Sequence, residues 1–257
     1  MDRTLLDHIS TKKKMKGGCC QMGERKKTIE VGQGLKLTRM SKSSWFKIER
    51  RGKIIHIDPG FAGLVENQGI PEEAMKDFAD LILISHPHKD HVREEAFDRL
   101  WTKNTVVIAP KACQETLRVP FCAVRADDEI DLGWILVKAV HAYNTETSRS
   151  TRKYHPKGEF VGFVVQWEDQ TMYFAGDTDE IEEMKQLGQI DIAFLPIGGT
   201  YVMDIDEAVD AVKTIQPKMV IPMHHATSDM TEFKEKIRKQ TSVCVLLMNT
   251  GESAFIK

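Results

Sequence analysis

Apolar residues in this chain occur in short continuous runs and in alternating or helix-spaced sets, and the two kinds take turns. Leu81–Ser85, Thr105–Ala109, Ile192–Leu195, Met219–Ile221 and Val243–Met248 have the length and character of buried strands. Trp45–Glu49 and Lys53–Asp58 flank an Arg51-Gly52 turn, a hairpin pattern. Trp134–Ala142, Phe160–Trp167 and Thr171–Ala175 make the middle of the chain strand-rich, with Glu168-Asp169-Gln170 as the turn between the last two. Helical spacing predicts helices over Glu72–Ala79 behind Pro71, over Val92–Trp101 and over Pro110–Val119. Further helices are expected through Ile181, Met184 and Leu187 up to Gly188, over Thr231–Gln240, and through Ile205, Ala208, Val209, Val212 and Ile215. Asp204 and Glu207 set a capping box ahead of the last of these. No repeat recurs at a fixed period. Two strand-rich halves with helices between them imply packed sheets covered by helices, an α/β architecture.

Residues 1–33 break this pattern: lysines, glycines and a Cys19-Cys20 pair stand there without apolar periodicity. They read as a poorly ordered basic N-terminal extension, solvated rather than bound to an anionic partner, ahead of one domain over residues 34–257. A chain of 257 residues with 41% hydrophobic and 29% charged residues can bury a sizeable core. A formal net charge of −2 gives no global attraction to nucleic acid or anionic membrane. No apolar run approaches the ~18–20 residues that span a bilayer, and the lysines at 12–14 and 16 are followed by no apolar segment of the signal-peptide kind. Five scattered cysteines, an odd number without metal-ligand spacing, fit a reducing, cytoplasmic setting.

The chemistry concentrates in Ser85-His86-Pro87-His88-Lys89-Asp90-His91, placed after an expected buried strand and before an expected helix. Four donors in six residues at a strand-to-loop junction converge on one space. Imidazole with carboxylate suits zinc, manganese or iron better than calcium or magnesium. A histidine-rich surface turn would have no reason to sit where strand ends open into a cleft. More donors recur at the ends of other strands: His141 ends the run at 135–140, Asp177 follows Thr171–Ala175 through Gly176, and His224-His225 follow Met219–Ile221 through Pro222-Met223. Each alone is weak; together they make a set.

The run His86-x-His88-x-Asp90-His91, then His141, Gly176-Asp177-Thr178 and Pro222-Met223-His224, resembles the metallo-β-lactamase superfamily in motif order from about Leu35 to Lys257. The turn Ile57-Asp58-Pro59-Gly60 is similar to that family's early motif. Leu195–Tyr201 resembles the branch that includes the ascorbate-6-phosphate lactonase group. The resemblance implies a four-layer αββα sandwich with two divalent metal ions, most simply zinc, at one edge between the sheets. Loops near residues 61–70, 144–158 and 198–204 would form its rim. It assigns His86, His88 and His141 to one metal, Asp90, His91 and His224 to the other, and Asp177 to both. His224 is preferred to His225 because it follows Pro-Met as the family pattern does; His225 then contacts substrate or packs. A metal-bridging hydroxide would attack an ester, lactone or phosphodiester, with Asp90 orienting the nucleophile and Asp177 offsetting the positive charge. Ser85, Asp58 and His56 are supporting candidates, His56 as a packing residue.

The loop at 149–158 carries Arg149, Arg152, Lys153, His155 and Lys157, and reads either as a contact for an anionic small-molecule substrate, through His155 and Lys157, or as a solvated loop. The family often has a histidine where this chain reads Ser41–Ser44, which puts any substrate contact from that turn in doubt. A nuclease is disfavoured for want of room for an inserted nucleic-acid-binding domain, and an exported β-lactamase for want of a leader. A di-iron redox protein on the same scaffold typically carries a glutamate in place of His88 and an attached flavin domain. A non-catalytic metal-binding protein would be expected to have lost ligands.

Overall fold

The computed structural model describes residues 34–63 and 69–256. The expected extension at 1–33 therefore lies outside the described residues, as does the middle of the expected rim loop at 61–70. The first half of the described chain supplies β1 (Leu35–Arg39), β2 (Phe46–Arg50), β3 (Lys53–Ile57), β4 (Leu81–Leu83), α1 (Glu94–Leu100), β5 (Val106–Pro110) and β6 (Cys122–Val124). The second half supplies β7 (Glu129–Asp131), β8 (Leu136–His141), β9 (Val161–Trp167), β10 (Gln170–Phe174), β11 (Ile192–Pro196), α2 (Ile205–Ile215), β12 (Met219–Met223), α3 (Met230–Gln240) and β13 (Cys244–Val245). β14 (Ser253–Ile256) then returns to pair with β1. The two seven-stranded sheets run β14-β1-β2-β3-β4-β5-β6 and β13-β12-β11-β10-β9-β8-β7.

Both sheets follow one plan: an antiparallel meander (β1-β2-β3; β7-β8-β9-β10) continues into parallel strands. Parallel strands need crossovers, so α1 covers the outside of the first sheet and α2 and α3 the outside of the second. Period-two alternation divides the residues between layers. Leu81, Leu83 and Ile108 join Leu37, Phe46, Ile48 and Ile55 in the core shared with the second sheet. Ile82, Ile84, Val107 and Trp45 point the other way and pack with Phe97 and Leu100 of α1. Across the inner layer, Phe46 meets the Phe194 ring edge-on at 4.8 Å between centroids. This is the αββα sandwich expected from the sequence.

Three expected helices shrink to single 3-10 turns: Glu72–Met75, Lys111–Glu115 and Glu182–Gln186. In the first, Met75 and Ala79 are buried but Phe78 is left 60% exposed, so the apolar spacing makes no continuous buried face. In the second, Pro120 directly after the expected end restricts Val119 away from helical geometry. The Asp204 cap forms, its Oδ1 accepting from Glu207 N at 2.8 Å. The Glu207 carboxylate does not close a capping box; it accepts from Arg149 N and Glu180 N instead. The run at 243–248 pairs only over Cys244–Val245, at a sheet edge.

Candidate metal centre

All the convergent donors come from segments that leave the carboxyl ends of β4, β10 and β12 or return to that edge, where the two sheets face each other. The turn after β3 prepares the place. Asp58, fully buried with φ 47°, accepts from Ser85 N (2.7 Å), Ser85 Oγ (2.6 Å) and His91 Nδ1 (2.7 Å). Gly60 lies so close behind that a β-carbon there would stand 2.5 Å from the His91 main chain, which only hydrogen permits. Asp58 thus sets the orientation of the whole His-rich run.

Hydrogen bonds on one side of each ring determine what the other side offers. His91 donates Nδ1–H to the Asp58 carboxylate. Ser85 Oγ gives its proton to Asp58 and so accepts from His86 Nδ1 at 2.9 Å. His155 Nδ1 lies 3.0 Å from Asn144 Oδ1 and 3.1 Å from the Tyr201 carbonyl, both acceptors, so it too carries the proton. In all three residues Nε2 is left as a lone-pair donor. Each of these Nε2 atoms is buried without a hydrogen-bond partner, and so is Asp177 Oδ1. Buried orphans of this kind are rare in folded proteins unless something else satisfies them. Here a divalent cation fits, because neutral imidazoles with a fixed outer proton are the usual form of metal-ligating histidine.

Among the described residues the donors make three groups. One, Asp58 with His86 and His91, includes the Asp58 carboxylate that accepts from His91 Nδ1, and the other two, a first and a second, are joined by one carboxylate. His86, His88 and His155 form the first, and Asp90, His91 and His224 the second, the donor atoms in each group lying within 4.8 Å of one another. Asp177 stands between them: its Oδ1 is 3.2 Å from His91 Nε2, and its Oδ2 is 3.3 Å from His224 Nε2 and 3.4 Å from His155 Nε2. Asp90 Oδ2 lies 3.0 Å from His224 Nε2. Burial, then His91, holds His86 well below its ordinary pKa; burial likewise lowers His88 and His155. Burial opposes ionisation of Asp177, yet His224, His91 and His86 overcome it and keep the carboxyl well below its usual range. The first group is therefore neutral. Burial opposes a charge on His91 and His224 as well, but Asp177 and the neighbouring carboxylates overcome it and raise both. The second group thus pairs acidic with basic donors, a set suited to hard-to-borderline divalent ions.

The sequence expectation of His141 in the first group is not what the geometry brings together. His141 Nε2 faces Asp127 Oδ2 at 3.7 Å and the residue belongs to neither group. The cause is the excursion after β8: Asn144 N donates to His155 O at 2.7 Å, so the chain returns to the end of β8 and delivers His155 there. The rings of His86, His88 and His155 then lie 4.7–5.3 Å apart. His155, expected at the substrate, takes the place expected for His141. Lys157, also expected at substrate, is occupied by Glu183 Oε1 (2.7 Å) and Tyr143 OH (3.1 Å). His225 is turned from the donors, its Nδ1 accepting from Arg39 at 3.0 Å, and burial with the Arg39 charge pushes it down to about 4. His224 is the one of the pair that faces Asp90 and Asp177.

Two residues went unnoticed in the sequence. Asn144 fastens His155 through its side chain, and nothing marks it out in a polar stretch. Arg39, with no exposed surface, donates to the carbonyls of Ser41, Lys42, Pro222 and Met248 as well as to His225. Among the described residues it has no carboxylate partner, and burial lowers it to about 10. A basic residue inside the apolar alternation of β1 was its only signal.

Residues 36–224 match the sequence pattern of the β-lactamase superfamily domain. The chain is 32% identical over 220 residues to the UPF0173 metal-dependent hydrolase of Bacillus thuringiensis, covering 80% of this chain and 94% of that one. A solved structure from Parabacteroides distasonis, described as a metal-dependent hydrolase on assignment, aligns with TM-score 0.75 and 28% identity over 85% of this chain and 99% of its own. The metallo hydrolase of the archaeon Ignicoccus hospitalis aligns with TM-score 0.67 and 25% identity, over 88% and 99%.

Proposed function

The chain belongs to the metallo-β-lactamase superfamily, among metal-dependent hydrolases, and from that premise we propose that it hydrolyses an anionic ester, lactone or phosphodiester at a centre of two divalent ions. The observation that carries the reading is the convergence of buried, unpartnered Nε2 atoms of His86, His91 and His155 on the two sides of Asp177. His86, His88 and His155 would hold one ion, Asp90, His91 and His224 the other, and Asp177 both. Ions held there would supply acidified water and polarise a carbonyl or phosphoryl oxygen. Zinc suits the imidazole-rich set, and manganese and iron share it.

The residues divide the remaining work. Asp177, 4% exposed in its side chain, offsets concentrated positive charge from inside. Asp90, 28% exposed and pulled down to about 2 against the effect of burial by His91 and His224, stays ionised and is the carboxylate open to substrate, placed to orient the nucleophile. Ser85 and Asp58 hold His86 and His91 in the tautomer that leaves Nε2 free. Lys42, Lys89 and Arg152 are exposed on segments that carry or brace ligands. None has an acidic partner among the described residues, which supports an anionic substrate. No described helix is long and apolar enough to cross a membrane.

Metal analysis of the purified protein, followed by a screen of lactones, phosphodiesters and thioesters with the metal found, tests the reading. Two equivalents of metal and turnover abolished by Asp177→Ala are expected. A protein that takes up no zinc, manganese or iron refutes it.

A further inference from the structure

The rim beside His155 carries side chains that the metal chemistry leaves unused. Thr151 N donates to Gly199 O (3.2 Å) and Arg152 N to Thr200 O (2.7 Å), so the loop leading to His155 is laced to the loop after β11 by main-chain bonds. On this lacing stand Tyr154 and Tyr201, ring centroids 5.2 Å apart and inclined at 70°. Tyr154 is 56% exposed. Arg152 donates to Tyr201 OH at 3.2 Å, its guanidinium 5.8 Å from that ring's centroid, and has no acidic partner among the described residues.

The pair is fixed relative to the metal centre through Asn144. Its Oδ1 accepts from Tyr154 N and His155 N, both at 3.0 Å, while its Nδ2 donates to Tyr201 O at 2.9 Å and Asp179 Oδ1 at 3.1 Å. The Tyr201 carbonyl also accepts from His155 Nδ1. Tyr154, next to His155 in the chain, is thus tied through its main-chain N–H to Asn144, and Tyr201 through its carbonyl to both Asn144 and the histidine whose other nitrogen faces Asp177. An edge-to-face pair leaves ring surface open for a third aromatic group. A guanidinium held over a ring, with no carboxylate to neutralise it, keeps its remaining N–H groups for an external anion.

We propose that Tyr154, Tyr201 and Arg152 form a recognition wall for a small aromatic anion, whose ring packs on the tyrosines while its negative oxygens meet Arg152. The wall deepens the hydrolase reading and rests on it: the bond to be cleaved would lie between this wall and Asp177. It selects the substrate by its ring and leaves the hydrolytic chemistry to the metal-facing residues.

Calorimetric titration of the zinc-loaded full chain with phenylphosphonate and methylphosphonate tests the wall without turnover. Phenylphosphonate binds about tenfold more tightly in the intact protein, the scale of one aromatic contact. Tyr154→Ala and Tyr201→Ala each reduce that preference to about twofold, and Tyr154→Ala, which removes no bond to Arg152, leaves methylphosphonate binding unchanged. Arg152→Gln weakens both compounds about five- to tenfold. Equal affinity for the two compounds, failure of both to bind, or a phenyl preference that survives both tyrosine substitutions overturns the wall. Zinc content, measured on the same samples, separates the failures. A zinc-loaded protein without phenyl preference leaves the hydrolase reading standing, whereas a protein that binds no metal overturns both.

Discussion

Arg39→Met probes how the second half of the metal centre is held. The substitution keeps an unbranched side chain in a site of no exposure, yet removes every donor. Three bonds of 2.9–3.0 Å to the carbonyls of Ser41, Lys42 and Met248, one of 3.3 Å to Pro222 and one of 3.0 Å to His225 Nδ1 are lost. At about 1.5 kcal/mol for each charge-assisted bond, the gross loss is roughly 7 kcal/mol. Against it stands relief from burying the cation. The fall from 12.5 to about 10 corresponds to about 3 kcal/mol of penalty that Met does not incur. The net destabilisation is about 3–5 kcal/mol, or a Tm lower by roughly 8–15 °C in a domain of this size.

The position of the lost bonds adds a second effect. Pro222 and His225 bracket the His224 segment, and His224 N donates to Ser43 O within the turn that Arg39 also holds. Affinity for the ion at Asp90, His91 and His224 should therefore fall about tenfold or more, as when an outer-shell partner is lost. Thermal melts of chelated protein, with zinc titration against a competing chelator, read the two effects separately. Arg39→Lys should rescue neither, because an ammonium cannot span five acceptors in the fork geometry. A Met variant melting within about 2 °C of the parent, or a Lys variant that restores it, refutes the reasoning.

Two other expectations concern histidines whose roles the geometry separates. His155→Ala should remove one equivalent of tightly bound zinc and most activity, whereas His141→Ala should keep both; metal stoichiometry after dialysis decides, and the reverse result would return His141 to the ligand set. His56, fully buried, accepts from Trp45 Nε1 at 2.9 Å, and burial followed by the Lys47 charge lowers it to about 3. The folded pKa is depressed, so the unfolded chain binds this proton first. Stability present above about 6.5 is lost as pH falls toward 3, about 2 kcal/mol of it by pH 5. Urea unfolding of chelated His56→Gln should show a flatter acid limb than the parent; parallel limbs would place the titration elsewhere.

How much of this was legible in the sequence depends on distance along the chain. The donors at 86–91 announce themselves because a strand end and a tight turn gather them locally. Asp177 and His224 could be placed because parallel strands deliver their carboxyl ends to one edge, so a polar residue after each apolar run has one destination. His155 does not follow that rule. It arrives at the amino-terminal approach to β9, carried by a loop whose path is set by Asn144 and by lacing to residues 199–200. Those are long-range main-chain bonds with no periodic trace. The short helices fail for local reasons: at 72–79 the apolar residues make no single buried face, Phe78 standing exposed beside buried Ala79, and at 110–119 Pro120 restricts the residue before it.

The shared plan of the two sheets explains why the site takes this form. Each sheet turns from antiparallel to parallel pairing at β3 and at β10, and at both strand ends the chain places an aspartate: Asp58 after β3 and Asp177 after β10. Asp58 faces the outer nitrogen of His91 and Asp177 its inner one, at 2.7 and 3.2 Å. One imidazole is therefore held between corresponding positions of two halves that share no sequence repeat. Asp58→Asn would return an amide to one side of that ring and free the tautomer, while Asp177→Asn would remove charge from the other. The first should loosen metal binding through orientation, with the fold kept, and the second should abolish it through lost ligation. If Asp58→Asn instead left zinc affinity within a factor of about two, far below the usual outer-shell effect, the tautomer would have to be set by something other than this pairing.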